Sequence, residues 1–198
     1  MKTIVVEGQL REELGKSSTK TLRKSGQVPC VVYGTEENIH FHTTPFSVRD
    51  LLYTNEFRKA TIKLGDKELE CIVKDVQFHP VNDAVMHIDF QALKSGQAVK
   101  TELPIRLLGV SEGQKVGGTL VQKMRQVKVK IQPEAMVPYL SVDISAVTLG
   151  KSIRVRDVKA VEGIEIMANA SIPVASVEIP RALRSAQTKA AAEETEEE

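Results

Sequence analysis

Residues 60–92 read ATIKLGDKELECIVKDVQFHPVNDAVMHIDFQA, and this stretch decides the fold class. Ala60–Leu64 and Lys67–Gln77 are two apolar runs that meet across Gly65-Asp66, a two-residue hairpin signal. His79-Pro80-Val81-Asn82-Asp83 turns the chain back. Val85–Ala92 then alternates cleanly, with Met86, Ile88 and Phe90 on one face and His87, Asp89 and Gln91 on the other. Consecutive strands joined by turns predict an antiparallel sheet. The middle strand has a fault of phase. Leu69, Cys71 and Val73 share one face, but Val76 and Phe78 fall on the opposite one. A bulge near Lys74-Asp75 would bring both back to the inward register, and bulges re-aim the side chains beside them.

Working toward the N-terminus, Val28–Tyr33 is an apolar strand, and Ile39, Phe41 and Thr43 alternate with His40 and His42 in another. Ile4, Val6 and Leu10 fall on one face of a first strand. Two short helices interrupt the strands. Ser17 or Ser18 is placed to N-cap a helix that ends at Gly26, a residue suited to the left-handed position after a helix. Leu22 is its one large apolar anchor, so this helix is marginal alone and free to order on a partner. Thr44-Pro45 opens the second, whose face of Val48, Leu51 and Leu52 runs to about Asn55.

Toward the C-terminus, Leu93-Lys94-Ser95-Gly96-Gln97 is a polar seam after a strong strand, which predicts units at 1–93 and 94–180. The second reads as mostly β. Leu103, Ile105 and Leu107 alternate with Glu102 and Arg106, Val127, Val129 and Ile131 with Lys128 and Lys130, and Leu140, Val142 and Ile144 with Tyr139, Ser141 and Asp143. Ile172–Ile179 contains Pro173, which predicts an edge strand. The tail, 181–198, is expected to be disordered or at most a frayed helix, because it has no apolar period and ends in a run of acids. The fold class is therefore mainly β with short helices.

Composition narrows the function. Of 198 residues 41% are hydrophobic and 27% charged, ordinary values for a soluble globular protein. Trp is absent and aromatics make up 4%, so the core must be aliphatic. No apolar run approaches the ~20 residues of a membrane helix, and the N-terminus lacks the apolar region of a signal peptide, which makes the cytoplasm the expected location. Cys30 and Cys71 lie in apolar strands and read as buried thiols, not as a metal-type pair. Residues 1–93 carry 12 basic and 13 acidic side chains, 94–180 carry 12 and 8, and the tail 3 and 5. The net charge of +1 thus hides a local cluster: Arg11, Lys16, Lys20, Arg23 and Lys24 crowd one loop and helix just before the strand Val28–Tyr33.

Catalysis and metal binding are weakly supported. His79, His87, Asp89 and Asp75 offer a base and an orienting acid for a hydrolase, but no Ser or Cys nucleophile sits in a recognisable elbow. His40 and His42 share a face without a third ligand at a metal-type spacing. Gly113-Gln114-Lys115-Val116-Gly117-Gly118 does not match a phosphate-binding nucleotide loop. No cofactor, metal or small-molecule substrate is expected. The basic cluster reads differently. Clustered cations hold phosphates, and a neighbouring sheet face with Tyr33, Lys74, His87 and Asp89 suits the wide, shallow minor groove of A-form RNA.

The chain resembles the bacterial large-subunit ribosomal protein numbered twenty-five, which binds 5S ribosomal RNA, in its long form, also called the general stress protein CTC. The resemblance rests on Arg11, Gly15-Lys16, Leu22-Arg23-Lys24-Ser25-Gly26, Val28-Pro29, Val31-Val32-Tyr33-Gly34, Asp75-Val76-Gln77-Phe78-His79-Pro80 and His87-Ile88-Asp89-Phe90. It implies a β-barrel-like N-terminal RNA-binding domain, a β-rich C-terminal domain, and binding to a helical, non-Watson–Crick loop region of 5S ribosomal RNA. It further implies that Arg11, Lys16, Lys20, Arg23 and Lys24 touch phosphate and ribose, while Tyr33, Lys74, Gln77, His87 and Asp89 approach the groove. Lys20 and Thr21 stand where many relatives carry an Arg-Arg pair, and Cys30 stands where a small residue is usual. The expected protein is a non-enzymatic constituent of the large ribosomal subunit, partnered by 5S ribosomal RNA and by neighbouring ribosomal proteins. The rival reading is a stress-related factor that binds a protein through the C-terminal β domain.

Overall fold

The computed structural model describes residues 1–35, 37–65, 67–158 and 163–180. The expected disordered tail, 181–198, lies outside the described residues. Strands dominate, and the helices are short. The chain divides into two compact units, Met1–Thr101 with Lys130–Pro138, and Glu102–Val129 with the described residues from Tyr139 onward.

In the first unit the elements run β1 (Thr3–Glu7), β2 (Gln9–Leu10), α1 (Lys16–Lys24), β3 (Val28–Tyr33), β4 (Ile39–Thr43), α2 (Pro45–Leu52), β5 (Lys59–Leu64), β6 (Lys67–Phe78) and β7 (Val85–Ala92). They form one seven-stranded sheet in the order β1-β5-β6-β7-β3-β4-β2. Strands β1 and β2 occupy opposite edges of that sheet, yet only Gly8 separates them in the chain. The N-terminal segment therefore pairs parallel with β5, passes Gly8 and pairs antiparallel with β4, which curls the sheet into a barrel. Leu10 consequently does not share a strand with Ile4 and Val6, as the sequence pattern predicted. It lies on β2 and is exposed, whereas Val6 is fully buried.

Gly8 is required where the segment crosses the barrel. A Cβ placed there would lie 2.4 Å from Cδ2 of Phe41 and 3.0 Å from Cδ2 of Leu64. Phe41 is fully buried and packs on Phe90, with ring centroids 5.8 Å apart and planes tilted by 39°. Val28, Val32, Val48, Ile62, Cys71 and Ile88 surround the pair. Each fully buried side chain of this size contributes roughly 1.5–3 kcal/mol of transfer free energy. Both cysteines are buried free thiols, and burial raises each to a pKa of about 12.

The bulge lies where the phase fault placed it. The β6–β7 register steps from Val73↔Phe90 to Asp75↔Asp89, so Lys74 is the inserted residue. Val76 then sits opposite Ile88 and packs against the core. Phe78 does not follow it inward. It stands at a second register shift, where Met86 of β7 is the extra residue and the ladder ends, and it is 45% exposed.

Helix α1 starts without a side-chain cap. Gly15 is its N-cap at φ 144, a value that favours glycine, and neither Ser17 nor Ser18 caps it. The hydroxyls are used otherwise: Ser18 donates to the Glu13 carbonyl and Thr19 to that of Gly15. The C-terminus is as predicted. Gly26 takes φ 77, and the N–H groups of Gly26 and Gln27 donate to the carbonyls of Arg23 and Leu22, a Schellman arrangement. Helix α2 begins at Pro45 and ends at Leu52, short of Asn55, because Thr54 Oγ1 and Arg58 Nη1 both donate to the Asp50 carbonyl and close its last turn.

The second unit contains most of β8 (Val99–Leu108) and of β10 (Gln126–Ile131), with α3 (Glu112–Lys115), β9 (Thr119–Gln122), β11 (Leu140–Asp143), β12 (Ser152–Arg154), β13 (Ile164–Ile166) and β14 (Pro173–Glu178). Two sheets run β11-β8-β10-β13 and β12-β14-β9. Val127, Val129 and Ile131 are buried between exposed lysines, as the alternation required. Strand β14 is central, not at an edge. Pro173 is tolerated there because it is the first residue of the strand and faces Arg154 at a register shift, where no ladder N–H is needed. Gly113 and Gly118 serve packing, since a Cβ on either would fall under 3 Å from the Val177 side chain.

Candidate RNA interface

The sequence of α1 places Lys16, Lys20 and Lys24 at i, i+4 and i+8, with Arg23 beside them, so these cations form one stripe. All four are exposed, while Ser18, Thr19 and Leu22 are partly buried. Two contacts fasten the helix. Arg11 Nη2 donates to Thr19 Oγ1 at 3.4 Å and to the Glu13 carbonyl at 3.3 Å. Arg23 Nε donates to the Met86 carbonyl of β7 at 3.1 Å. Arg11 is thereby half-buried and partly committed to holding the loop, whereas the lysines are free to meet a ligand.

The residues expected to approach a groove lie on neighbouring strands. Asp75 pairs with Asp89, Gln77 with His87, Val31 with Asp89 and Tyr33 with Gln91. His87 Nδ1 lies 2.7 Å from Asp89 Oδ1, and the two side chains are 27% and 34% exposed, so both are reachable from solvent. The carboxylate acts as acceptor, which puts a proton on Nδ1. In neutral His87 this leaves Nε2 as an acceptor. Tyr33 is partly buried, and its hydroxyl pKa is raised first by that burial and then by the carboxylates of Asp89 and Asp75.

Asp75 directly opposite Asp89 is an unfavourable pair in isolation. It makes the centre of the face negative while its border carries the cations of α1. Such a surface repels a phosphate at the centre and accepts one at the border. At the centre it suits donors, such as an amino group or a hydroxyl. Spacing alone offers Asp75 as a catalytic group and as part of the family motif, not as a member of this face. The phase fault was the signal that could have found it, because the residue after an inserted Lys74 must move to the face of Asp89.

Lys74 is exposed, and its ammonium donates to the Lys100 carbonyl, so it is partly occupied by its own chain. His79 belongs to the β6–β7 turn, where its Nδ1 accepts the Val81 N–H at 3.3 Å. His42 pairs with Gln9. Its Nδ1 is buried without a partner, and its pKa is lowered by burial and then by Arg11. Among the described residues no three potential ligands stand together as a metal site, and no helix is long and apolar enough to cross a membrane.

Comparison with known proteins agrees with this layout. A family model described as the Ribosomal L25p family matches residues 6–90, and one described as Ribosomal protein TL5, C-terminal domain, matches 98–181. Large ribosomal subunit protein bL25 of Cytophaga hutchinsonii is 39% identical over 191 residues, covering 96% of this chain and 99% of that protein. The bL25 protein of Amoebophilus asiaticus is 40% identical over 190 residues, covering 96% of each. That of Bacteroides thetaiotaomicron is 36% identical over 195 residues, covering 96% and 99%.

Proposed function

This chain belongs to the ribosomal L25p family, in the two-domain form with a TL5-type C-terminal domain, and from that premise we propose that it seats 5S ribosomal RNA in the large subunit. The family is one of structural, non-enzymatic ribosomal proteins. The unit at 1–93 is the RNA-binding part, and 94–180 forms a second domain that meets other components of the subunit. The RNA backbone lies along Arg11, Lys16, Lys20, Arg23 and Lys24, and Tyr33, Lys74, Gln77, His87 and Asp89 line the groove. The observation that carries this reading is the accessible His87–Asp89 pair on a sheet face bordered by an exposed cationic helix.

Phosphate contacts position the RNA and groove contacts select it. Asp89, held by His87, accepts from a base amino group or a ribose 2′-hydroxyl. The wide minor groove of A-form RNA displays such groups. Phosphate is disfavoured there by Asp75.

A salt-titrated binding assay of the full chain, with 5S RNA against an unrelated duplex, tests the proposal. Five phosphate contacts give a slope of about −4 to −5 in log K against log salt, taking the duplex-DNA coefficient. Arg23→Ala weakens binding and flattens that slope by about one unit. An unchanged slope removes Arg23 from the phosphate contacts. Asp89→Ala lowers the preference for 5S RNA with the slope nearly intact, and an equal loss on both RNAs would refute its reading role. A wild-type chain that shows no preference for 5S RNA overturns the proposal as a whole.

A further inference from the structure

We infer that Phe78, the last residue of β6 at the mouth of the β6–β7 turn, is a stacking platform for a base of the bound RNA that lies outside Watson–Crick pairing. The inference rests on the RNA-binding reading and extends it to a residue at the end of the groove.

The turn is a built structure, not a loose loop. The His79 N–H donates to the Ala84 carbonyl at 2.8 Å and the Asp83 N–H to the His79 carbonyl at 3.0 Å. The Val81 N–H is held by His79 Nδ1, and the Ala84 N–H by Asn82 Oδ1. Asp83 takes φ 52, a left-handed value that aspartate tolerates in turns. On this fixed element Phe78 is 45% exposed and Val81 86% exposed. A sheet that buries Phe41 and Phe90 completely thus leaves a third phenylalanine open to water, at the second register shift of the β6–β7 ladder, where Met86 of β7 is the extra residue.

Its location names the occupant. Phe78 follows Gln77, which pairs with His87, and faces Val85 across the ladder. Met86, the next residue of β7, accepts the hydrogen bond that fixes Arg23. Phe78 is therefore one residue along the chain from the Gln77–His87 pair, and its ladder partner Val85 is next to the residue whose carbonyl holds Arg23. Unpaired and splayed bases are bound by stacking on aromatic faces, and a preformed platform pays little ordering entropy. Val81, three residues on, extends the apolar surface of the same turn.

The test uses the full chain and fluorescently labelled 5S RNA over a salt series. Phe78→Leu is expected to lose roughly 5- to 100-fold in affinity, with an unchanged salt slope, while Phe78→Tyr retains wild-type affinity. Equal binding by Phe78→Leu and wild type overturns the inference, even where Arg23→Ala still flattens the slope and the general reading stands. A loss in both the Leu and the Tyr variant also overturns it, because aromatic character is then not what binds. Normal binding of naked RNA by Phe78→Leu, combined with loss of its retention on salt-washed large subunits, assigns the turn to a protein contact instead. Absence of any 5S preference in the wild type removes the broader reading and this inference together.

Discussion

Replacing Lys16, Lys20 and Lys24 together by glutamine is expected to weaken 5S RNA binding by about a hundredfold at about 0.15 M salt and to flatten the slope of log K against log salt by 2 to 3 units. The three lysines recur at every fourth residue of α1 and are exposed. Each neutralised phosphate releases about 0.9 of a counterion on duplex DNA, so three contacts account for both numbers. Glutamine is nearly as good a helix former as lysine, and the substitution removes two like-charge i, i+4 pairs. The variant should therefore melt no lower than the wild type, and its loss of binding cannot be ascribed to misfolding. Filter binding or anisotropy across a salt series reads the effect. A variant that loses affinity with the original slope would show that the helix acts through shape and not through phosphate contacts.

Gly8→Val is expected to cost about 3 kcal/mol, the upper end of the range for overpacking a well-packed interior. A single methyl at this position already falls within van der Waals overlap of the Phe41 ring, and two further methyls have no cavity to enter. The ring cannot swing aside, because Phe41 is fully buried against Phe90. For a unit of about a hundred residues this lowers the melting temperature by roughly 12–24 °C. Calorimetry or circular dichroism on the purified variant provides the measurement. Gly8→Ala should fall between the variant and the wild type. A Val variant that melts within a degree or two of the wild type would mean that the segment crosses the barrel elsewhere than over Phe41.

Much of this was legible in the chain because periodicity reports burial. The alternation in residues 85–92 fixed which face His87 and Asp89 share, and the phase fault located the bulge at Lys74. What periodicity cannot report is which strand lies beside which. Ile4, Val6 and Leu10 fit one strand on spacing alone, but Gly8 breaks the segment into two strands at opposite sheet edges. That break depends on Phe41, more than thirty residues away. The cap of α1 escapes local spacing for a similar reason. Ser17 and Ser18 satisfy the local rule, but glycine at φ 144 let the chain enter the helix one turn corner earlier. Pro173 met the rule for an edge strand, yet a register shift opposite it made a central position possible. The cationic cluster was visible as composition, while its arrangement as a stripe required the helix start.

The segment that opens the chain has a kinetic consequence during synthesis. Residues 3–10 are made before their partners, and β4 and β5 are complete only when Thr43 and Leu64 have been made. Until then this segment has nothing to zip against, and closure over long sequence separations is slow. The sheet closes later still, when β7 reaches β3 and β6 at Ala92, and until that moment the first unit keeps adhesive strand borders.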